Sequence, residues 1–208
     1  MFFAPTLRGL LKSNCSIYVL CVSTGNEAGL GITRRREMRK AVHTLGIPSG
    51  NLTVMDYDEF PDGFVRWDKE KLAHHLLEFM EKIGCDFVVT FDEGGVSRHP
   101  NHSSCFLAMQ YLYSNGLVPA DVQIFVLETV PLWRKYCLGF DLIPSFFHST
   151  FMYVSNISSL VTVYRAMRHH RSQLVWFRYL YMLFSRYVVI NTLKRIPLHK
   201  YYISKKSR

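Results

Sequence analysis

Residues 86–102 read DFVVTFDEGGVSRHPNH. After Asp86 the segment to Phe91 is β-branched and aromatic, which predicts a strand over 86–91. Residues 92–102 are polar and carry Gly94 and Gly95, which predicts a loop, and residues 101–115 predict a helix. A strand that leaves through a Gly-rich loop into a helix is the repeating unit of α/β sheets. In such sheets the ligand site lies beyond the carboxyl ends of the strands, so chemistry is expected in this loop.

Outward from this unit the alternation continues. Upstream, residues 2–12 predict a helix, 16–22 a strand, and 32–45 a basic amphipathic helix closed by Gly46 and Pro48. Residues 52–56 (LTVMD) predict a strand that ends on an acid. Residues 68–83 predict a helix whose Leu72, Leu76, Phe79, Met80 and Ile83 share one side. Downstream, 122–127 and 150–154 predict strands and 157–185 a helix. The fold class expected is α/β with a mostly parallel sheet. The loops after residues 22, 56 and 91 all fall at the ligand-binding end of such a sheet.

The chain has 208 residues, a length that predicts one domain with at most an appendage. We place the domain at 1–190 and a basic tail at 191–208. Hydrophobic residues make up 49% and charged residues 20%, which excludes a disordered chain. The formal net charge of +9 favours anionic partners. Its cations are dispersed and no nucleic-acid-binding motif occurs, so an anionic membrane surface or a phosphorylated substrate is expected, and nucleic acid is not. From Leu193 to Arg208 the tail carries Lys194, Arg195, Lys200, Lys205, Lys206 and Arg208 and no acid, which fits a solvated tail as well as a membrane-facing patch. The five cysteines include no C-x-x-C pair, which predicts reduced, buried thiols and a cytosol-facing compartment. No secretory signal is evident, and no run of 18 uninterrupted apolar residues exists. The nearest approach, Leu174–Ile190, is interrupted by Arg178 and Arg186; it predicts either a helix lying in a membrane interface or a buried one.

Several side chains can carry chemistry. His99 and His102 stand three apart at a loop-to-helix junction and can face one site, as a metal ligand, an oxyanion stabiliser or a proton carrier. They can equally be solvated residues of a helix cap. Arg34 and Glu37 are also three apart on a helix, either a surface charge run or a substrate-facing Arg held by a carboxylate. Asp56, at a strand end, suits a sugar hydroxyl as well as a turn. The stretch His169–Gln173 can orient a ligand or cap the fold. There is no nucleophile elbow, no phosphate-binding G-x-x-x-x-G-K-[ST] and no G-x-G-x-x-G.

Several blocks in order resemble one family. They are CVSTGNEAGLGITRRREMRKAVHTLGIP (21–48), LTVMDYDEFPDG (52–63), VVTFDEGGVSRHPNH (88–102), WRKYC (133–137) and MRHHRSQLVWFRYLYMLFSRY (167–187). Together they resemble the N-acetylglucosaminylphosphatidylinositol de-N-acetylases, the phosphatidylinositol-glycan class L branch of the LmbE-like deacetylases. The resemblance implies a Rossmann-like three-layer α/β fold and a divalent metal, usually zinc. It implies hydrolysis of GlcNAc-phosphatidylinositol to glucosaminyl-phosphatidylinositol in GPI-anchor synthesis, at the cytoplasmic face of the endoplasmic reticulum. It puts a metal ligand on His102, the oxyanion-stabilising group on His99, and substrate contacts on Arg34, Glu37 and Asp56.

The resemblance also carries a departure. The family's A-H-P-D-D-E motif, source of a metal-binding His, a metal-binding Asp and an Asp base, belongs just upstream of the segment matching MFFAPT and does not occur in these 208 residues. The chain is therefore expected to be an N-terminally truncated form that lacks the family's first strand and the branch's N-terminal membrane helix, and to be inactive or nearly so by itself. The other reading is a non-catalytic lipid- or partner-binding fragment of the same enzyme.

Overall fold

A computed structural model describes residues 2–196. The chain divides into two compact units, residues 2–65 with 130–192, and residues 66–129 with 193–196.

In the first unit, helix α1 (Ala4–Lys12) leads to strand β1 (Val19–Cys21), helix α2 (Gly31–Leu45) and strand β2 (Leu52–Val54). β1 and β2 pair in parallel, Val19 opposite Leu52 and Cys21 opposite Val54. Parallel neighbours require a crossover, which α2 supplies. Gly46 ends α2 at φ 96°, a conformation that glycine adopts without strain. Ile17, Val42 and Ile47 form the local core, with Leu7, Leu10, Met38 and Leu52 packed on it. The later part of the unit holds α6 (Leu132–Lys135), α7 (Leu142–His148), β5 (Phe151–Val154), α8 (Ile157–Met167), α9 (Trp176–Phe184) and α10 (Arg186–Val189). Strand β6 (Ile190–Arg195) begins here beside β5. Asn191 ties it to the start of α1, accepting from the Thr6 hydroxyl at 2.9 Å and donating to the Phe2 carbonyl at 2.9 Å.

The second unit contains α3 (Lys69–Ile83), β3 (Phe87–Phe91), the short turn α4 (Gly95–Arg98), α5 (Pro100–Ser114) and β4 (Gln123–Leu127). Asp68 caps α3 by accepting from the backbone N–H groups of Glu70 and Lys71. β3 and β4 run parallel, and β4 pairs antiparallel with the end of β6, Phe125 opposite Arg195. Leu72, Met80, Ala108, Met109, Leu112 and Leu127 are buried between its helices and strands.

Three expectations change. The helix expected over 157–185 is three pieces, because α8 stops at Met167, a 3-10 turn occupies Arg171–Gln173, and α9 begins only at Trp176. The carboxylate of Glu37 supplies the reason: it accepts from the Ser172 N–H and hydroxyl, satisfying outside any helix a donor that a helix would otherwise use. Residues 190–195, expected partly in an apolar helix and partly in a tail, form a strand. The cysteines form no disulfide among the described residues, but all five are half-buried rather than buried. Of the basic tail, Lys194 pairs with Glu128, while Lys200, Lys205, Lys206 and Arg208 lie outside the described residues. Among the described residues no helix is long and apolar enough to cross a membrane.

A buried ionic cluster organises the first unit. Asp141 accepts from Arg134 Nε at 2.5 Å and from the Ser145 hydroxyl at 2.7 Å, and pairs with Arg186 at 2.6 Å. The side chains of Asp141 and Arg186 are each only 1% exposed. Burial pushes the Asp141 carboxyl up, but hydrogen bonds from Arg134 and Ser145 and the charge of Arg186 outweigh it and hold the group below the usual carboxylate range. Arg186, one of the two arginines that interrupt the apolar run Leu174–Ile190, is thus part of the interior.

Asp141→Asn leaves two guanidinium groups without their counter-charge and is expected to destabilise the unit by about 3–5 kcal/mol in urea unfolding. A second prediction concerns His170, whose pKa burial lowers to about 4. The unfolded chain binds a proton there near the ordinary value of 6.5 and the folded chain does not. Stability is therefore complete above about pH 6.5 and falls as pH drops toward 4, by on the order of 3 kcal/mol at most. Comparing wild type with His170→Gln across that window isolates the contribution; equal slopes would remove it.

Candidate active site

The site residues read from the sequence fall in both units, and each group is built by its own local structure. In the first unit, the loop before α2 is folded back on itself. The Asn26 side-chain carbonyl accepts from the Gly31 N–H at 2.9 Å, and a Cβ at Gly31 would come within 2.9 Å of Thr24 and Asn26. This closeness leaves room for glycine alone at the helix start. One turn later, Arg34 sends its guanidinium to the Gly25 carbonyl and to the carboxylate of Asp62 at 3.1 Å. Asp56 accepts from the Thr24 hydroxyl at 2.9 Å and pairs with Arg35 at 3.3 Å, while 63% of its side chain stays exposed. A carboxylate has about four acceptor positions, so Asp56 keeps capacity for a ligand hydroxyl.

Glu37 is placed differently from the expectation that its carboxylate holds Arg34. Both its oxygens are engaged by Ser172, at 2.8 and 2.6 Å, and it is 9% exposed. The carboxylate that holds Arg34 belongs to Asp62. The spacing of three put Arg34 and Glu37 on one helix, but each found its partner far along the chain. Below Glu37, a recess of about 570 Å³ is lined by Thr33, Arg36, Lys40, His169 and Arg171 as well as Glu37 itself. Cations outnumber acids on its wall. Nearby, burial raises the pKa of Cys21 and its thiol donates to the Ser23 carbonyl, so it is a poor nucleophile.

In the second unit the loop 92–102 is tied by hydrogen bonds to Asp92 and Thr129. Asp92 accepts from the Gly95 N–H at 3.0 Å and from the Thr129 N–H and hydroxyl at 2.5 Å. The Thr129 hydroxyl accepts in turn from the Val96 N–H at 2.8 Å. Val96 and Arg98 both have positive φ, 63° and 58°, and for the β-branched Val96 this is a strained state that only the surrounding hydrogen bonds maintain. Gly94 lies against Thr129 and Gly95 against His102, each close enough that a Cβ would collide at 2.8 Å.

The loop fixes His102. Its Nδ1 lies 2.9 Å from the Gly95 carbonyl, and its ring stacks on Phe91 with centroids 4.1 Å apart and planes within 6°. A carbonyl only accepts, so Nδ1 carries the hydrogen and the lone pair of the neutral ring is on Nε2. This is the arrangement in which a backbone carbonyl orients a metal-binding histidine. The His99 ring lies 5.2 Å from that of His102, and the His99 carbonyl accepts from the N–H groups of His102 and Ser103 at the start of α5. Of the expected site residues, His99 and His102 are thus brought together, as are Arg34 and Asp56 around one loop.

Sequence reasoning did not find Asp62, Ser172 or Thr129 as the partners that set these side chains. Two of them had a signal: Asp62 sits in the strand-end loop that follows Asp56, and Ser172 lies in the stretch His169–Gln173 that could orient a ligand or cap the fold. Among the described residues no group of three or more His, Cys, Asp or Glu side chains is close enough to hold a metal ion. A catalytic zinc needs about three protein ligands, so the described residues fit one ligand of such a site and not the whole of it.

Comparison with known proteins identifies the family. Residues 1–112 match the family model for PIG-L, GlcNAc-PI de-N-acetylase. The chain is 42% identical over 195 residues to the N-acetylglucosaminyl-phosphatidylinositol de-N-acetylase of Bos taurus, covering 93% of this chain and 77% of that protein. It is 35% identical over 204 residues to the probable N-acetylglucosaminyl-phosphatidylinositol de-N-acetylase of Schizosaccharomyces pombe, covering 94% and 81%. Among solved structures it is similar to the N,N'-diacetylchitobiose deacetylase of Pyrococcus horikoshii, with TM-score 0.66 at 16% identity, covering 97% of this chain and 80% of that one. That likeness shows the fold, the Rossmann-like α/β fold of the LmbE-like deacetylases. The sequence matches go further, because they extend over nearly the whole chain: it belongs to the GlcNAc-PI de-N-acetylase family.

Proposed function

We propose that this chain serves the hydrolysis of the N-acetyl group of GlcNAc-phosphatidylinositol, releasing acetate and glucosaminyl-phosphatidylinositol, in GPI-anchor synthesis. In this reaction water adds to the acetyl carbon, the amide C–N bond breaks, and the nitrogen leaves as the protonated amine. The observation that carries the reading is the fixed His102. A ring locked by a backbone carbonyl and an aromatic stack has its Nε2 lone pair pre-aimed, which a merely solvated histidine does not need.

Each residue then has a role. His102 serves as a metal ligand and His99 stabilises the oxyanion that forms as water adds to the amide. Arg34, anchored by Asp62 and the Gly25 carbonyl, presents its charge to the substrate, and Asp56 accepts from a sugar hydroxyl. Glu37 fixes the turn at Arg171–Gln173 and with it the cationic wall of the neighbouring recess, which suits the phosphodiester of the substrate. The cofactor of this reading is a divalent metal, zinc by resemblance, which when bound activates a water and polarises the amide carbonyl. Among the described residues only His102 is placed to hold it. The place of action is the cytoplasmic face of the endoplasmic reticulum, where the partner besides the substrate is an anionic membrane surface.

Acetate release from GlcNAc-phosphatidylinositol tests the reading, with residues 1–208 alone and with the same residues preceded by the family's A-H-P-D-D-E segment. The expected outcome is chelator-sensitive release by the extended chain, with little from residues 1–208. In the extended chain, His99→Ala is expected to lower kcat about 10²–10³-fold. Arg34→Ala is expected to raise KM more than it lowers kcat. Release by neither protein, with substrate still bound, would instead support the non-catalytic lipid-binding reading.

A further inference from the structure

We propose that the outward face of α9, with the cationic recess beside it, is a docking surface for an anionic phospholipid bilayer. This rests on the reading that a membrane is a partner, and it specifies which surface meets it. Trp176, Tyr179, Leu180 and Leu183 follow the i, i+3, i+4, i+7 spacing of one helix face, yet that face is turned to solvent, with Trp176 74% and Leu183 56% exposed. The opposite side of α9 makes the contacts with the fold. Tyr181 and Met182 are buried, the Tyr164 hydroxyl donates to the Met182 carbonyl at 2.7 Å, and the Tyr181 ring meets Tyr136 edge-on at 6.3 Å. A soluble helix normally faces its apolar stripe inward; this one holds on by two residues and offers the stripe outward.

Other large apolar side chains of this unit are exposed as well. Trp133, Phe140, Ile143 and Phe146, on the segment that Tyr136 joins to Tyr181, are also exposed. Exposed tryptophan and phenylalanine suit the depth at which headgroups meet acyl chains.

Charge selects the occupant. Asp141 is the last acid in the chain, and it is buried; from Leu142 to Arg208 there is no Asp or Glu. Arg165, Arg168 and Arg171 precede α9 and are exposed. Arg168 and Arg171 line a recess of about 490 Å³ together with Tyr164, Leu174, Tyr179 and Met182, so cations and the apolar helix share one wall. An apolar stripe preceded by exposed arginines, on a stretch of chain that has no acid after Asp141, is complementary to an anionic lipid surface. A second copy apposed through the same face would set these arginines against their own images, which argues against a dimer.

The test is sedimentation of the 208-residue protein with vesicles of phosphatidylcholine alone or with phosphatidylserine added. Expected is binding to the anionic vesicles that weakens with salt. It should fall about tenfold in the double variant Trp176→Ser, Leu180→Ser. Arg168→Gln with Arg171→Gln should weaken it as well, and Leu117→Ser, an exposed apolar residue of the other unit, should not. If the wild type sediments and the α9 variant sediments equally, this assignment falls while the membrane reading stands. If the wild type does not sediment with either vesicle, the membrane reading itself falls. Quenching of the protein's tryptophan emission by brominated acyl chains needs no substitution and guards against a variant that fails to fold. Binding without quenching overturns the insertion of this face.

Discussion

The carboxylate of Asp92 is the constraint on which the histidine loop depends. It accepts from the Gly95 N–H and from the N–H and hydroxyl of Thr129, so the end of β3 and the segment following β4 are fixed to one side chain. That clasp lets Val96 and Arg98 remain at positive φ, a state that costs on the order of 1–3 kcal/mol per residue. The strained turn in turn points the Gly95 carbonyl at His102, and the carbonyl chooses the tautomer of the ring. A chain of short-range interactions thus runs from one acid to the nitrogen that would face a metal. Gly94 and Gly95 are required because Thr129 and His102 lie where their Cβ atoms would be.

The first unit is organised by the same device with opposite surroundings. Asp141 is the acid of a buried cluster, and besides the Ser145 hydroxyl its partners are the charged Arg134 and Arg186, where those of Asp92 are all neutral. Neutral donors let Asp92 hold a loop without fixing the charge around it. Asp141 must neutralise Arg134 and Arg186 in the interior, so its removal acts on stability first. This difference explains why the residues around Asp92 read as a site, whereas those around Asp141 read as a frame for α6, α7 and α10.

Elements with a clear period were legible in the sequence. The helices at 2–12, 32–45, 68–83 and 101–115 and the strands at 86–91 and 122–127 lie within a few residues of where the structure has them. Their apolar spacing and their Gly, Pro and Asp boundaries are local signals. The break within 157–185 was not legible, since its cause is Glu37, 135 residues away from Ser172. Strand β6 was missed because the apolar run before it, LVWFRYLYMLFSRYVVI, has helical character up to Phe184 and then changes period without a Gly or Pro. In the site, residue types and loops were legible but partners were not. Arg34 has Glu37 three residues on, yet takes its carboxylate from Asp62, 28 residues away.

The C-terminal segment shows why a period alone does not decide burial. Trp176, Tyr179, Leu180 and Leu183 have the spacing of a core stripe, and Arg178 and Arg186 look like its solvent-facing interruptions. In the structure these roles are reversed. Arg186 is buried because Asp141 waits for it in the interior, and Arg178 is half-buried, donating to Gln173 at 2.8 Å. A buried guanidinium needs a counter-charge at contact distance, and the chain carries no acid after Asp141 with which to bury a second one. Arg165, Arg168 and Arg171, lacking such a partner among later residues, stay at the surface. The position of a single acid therefore sets which arginine enters the core, and so which face of the final helices is left to meet solvent.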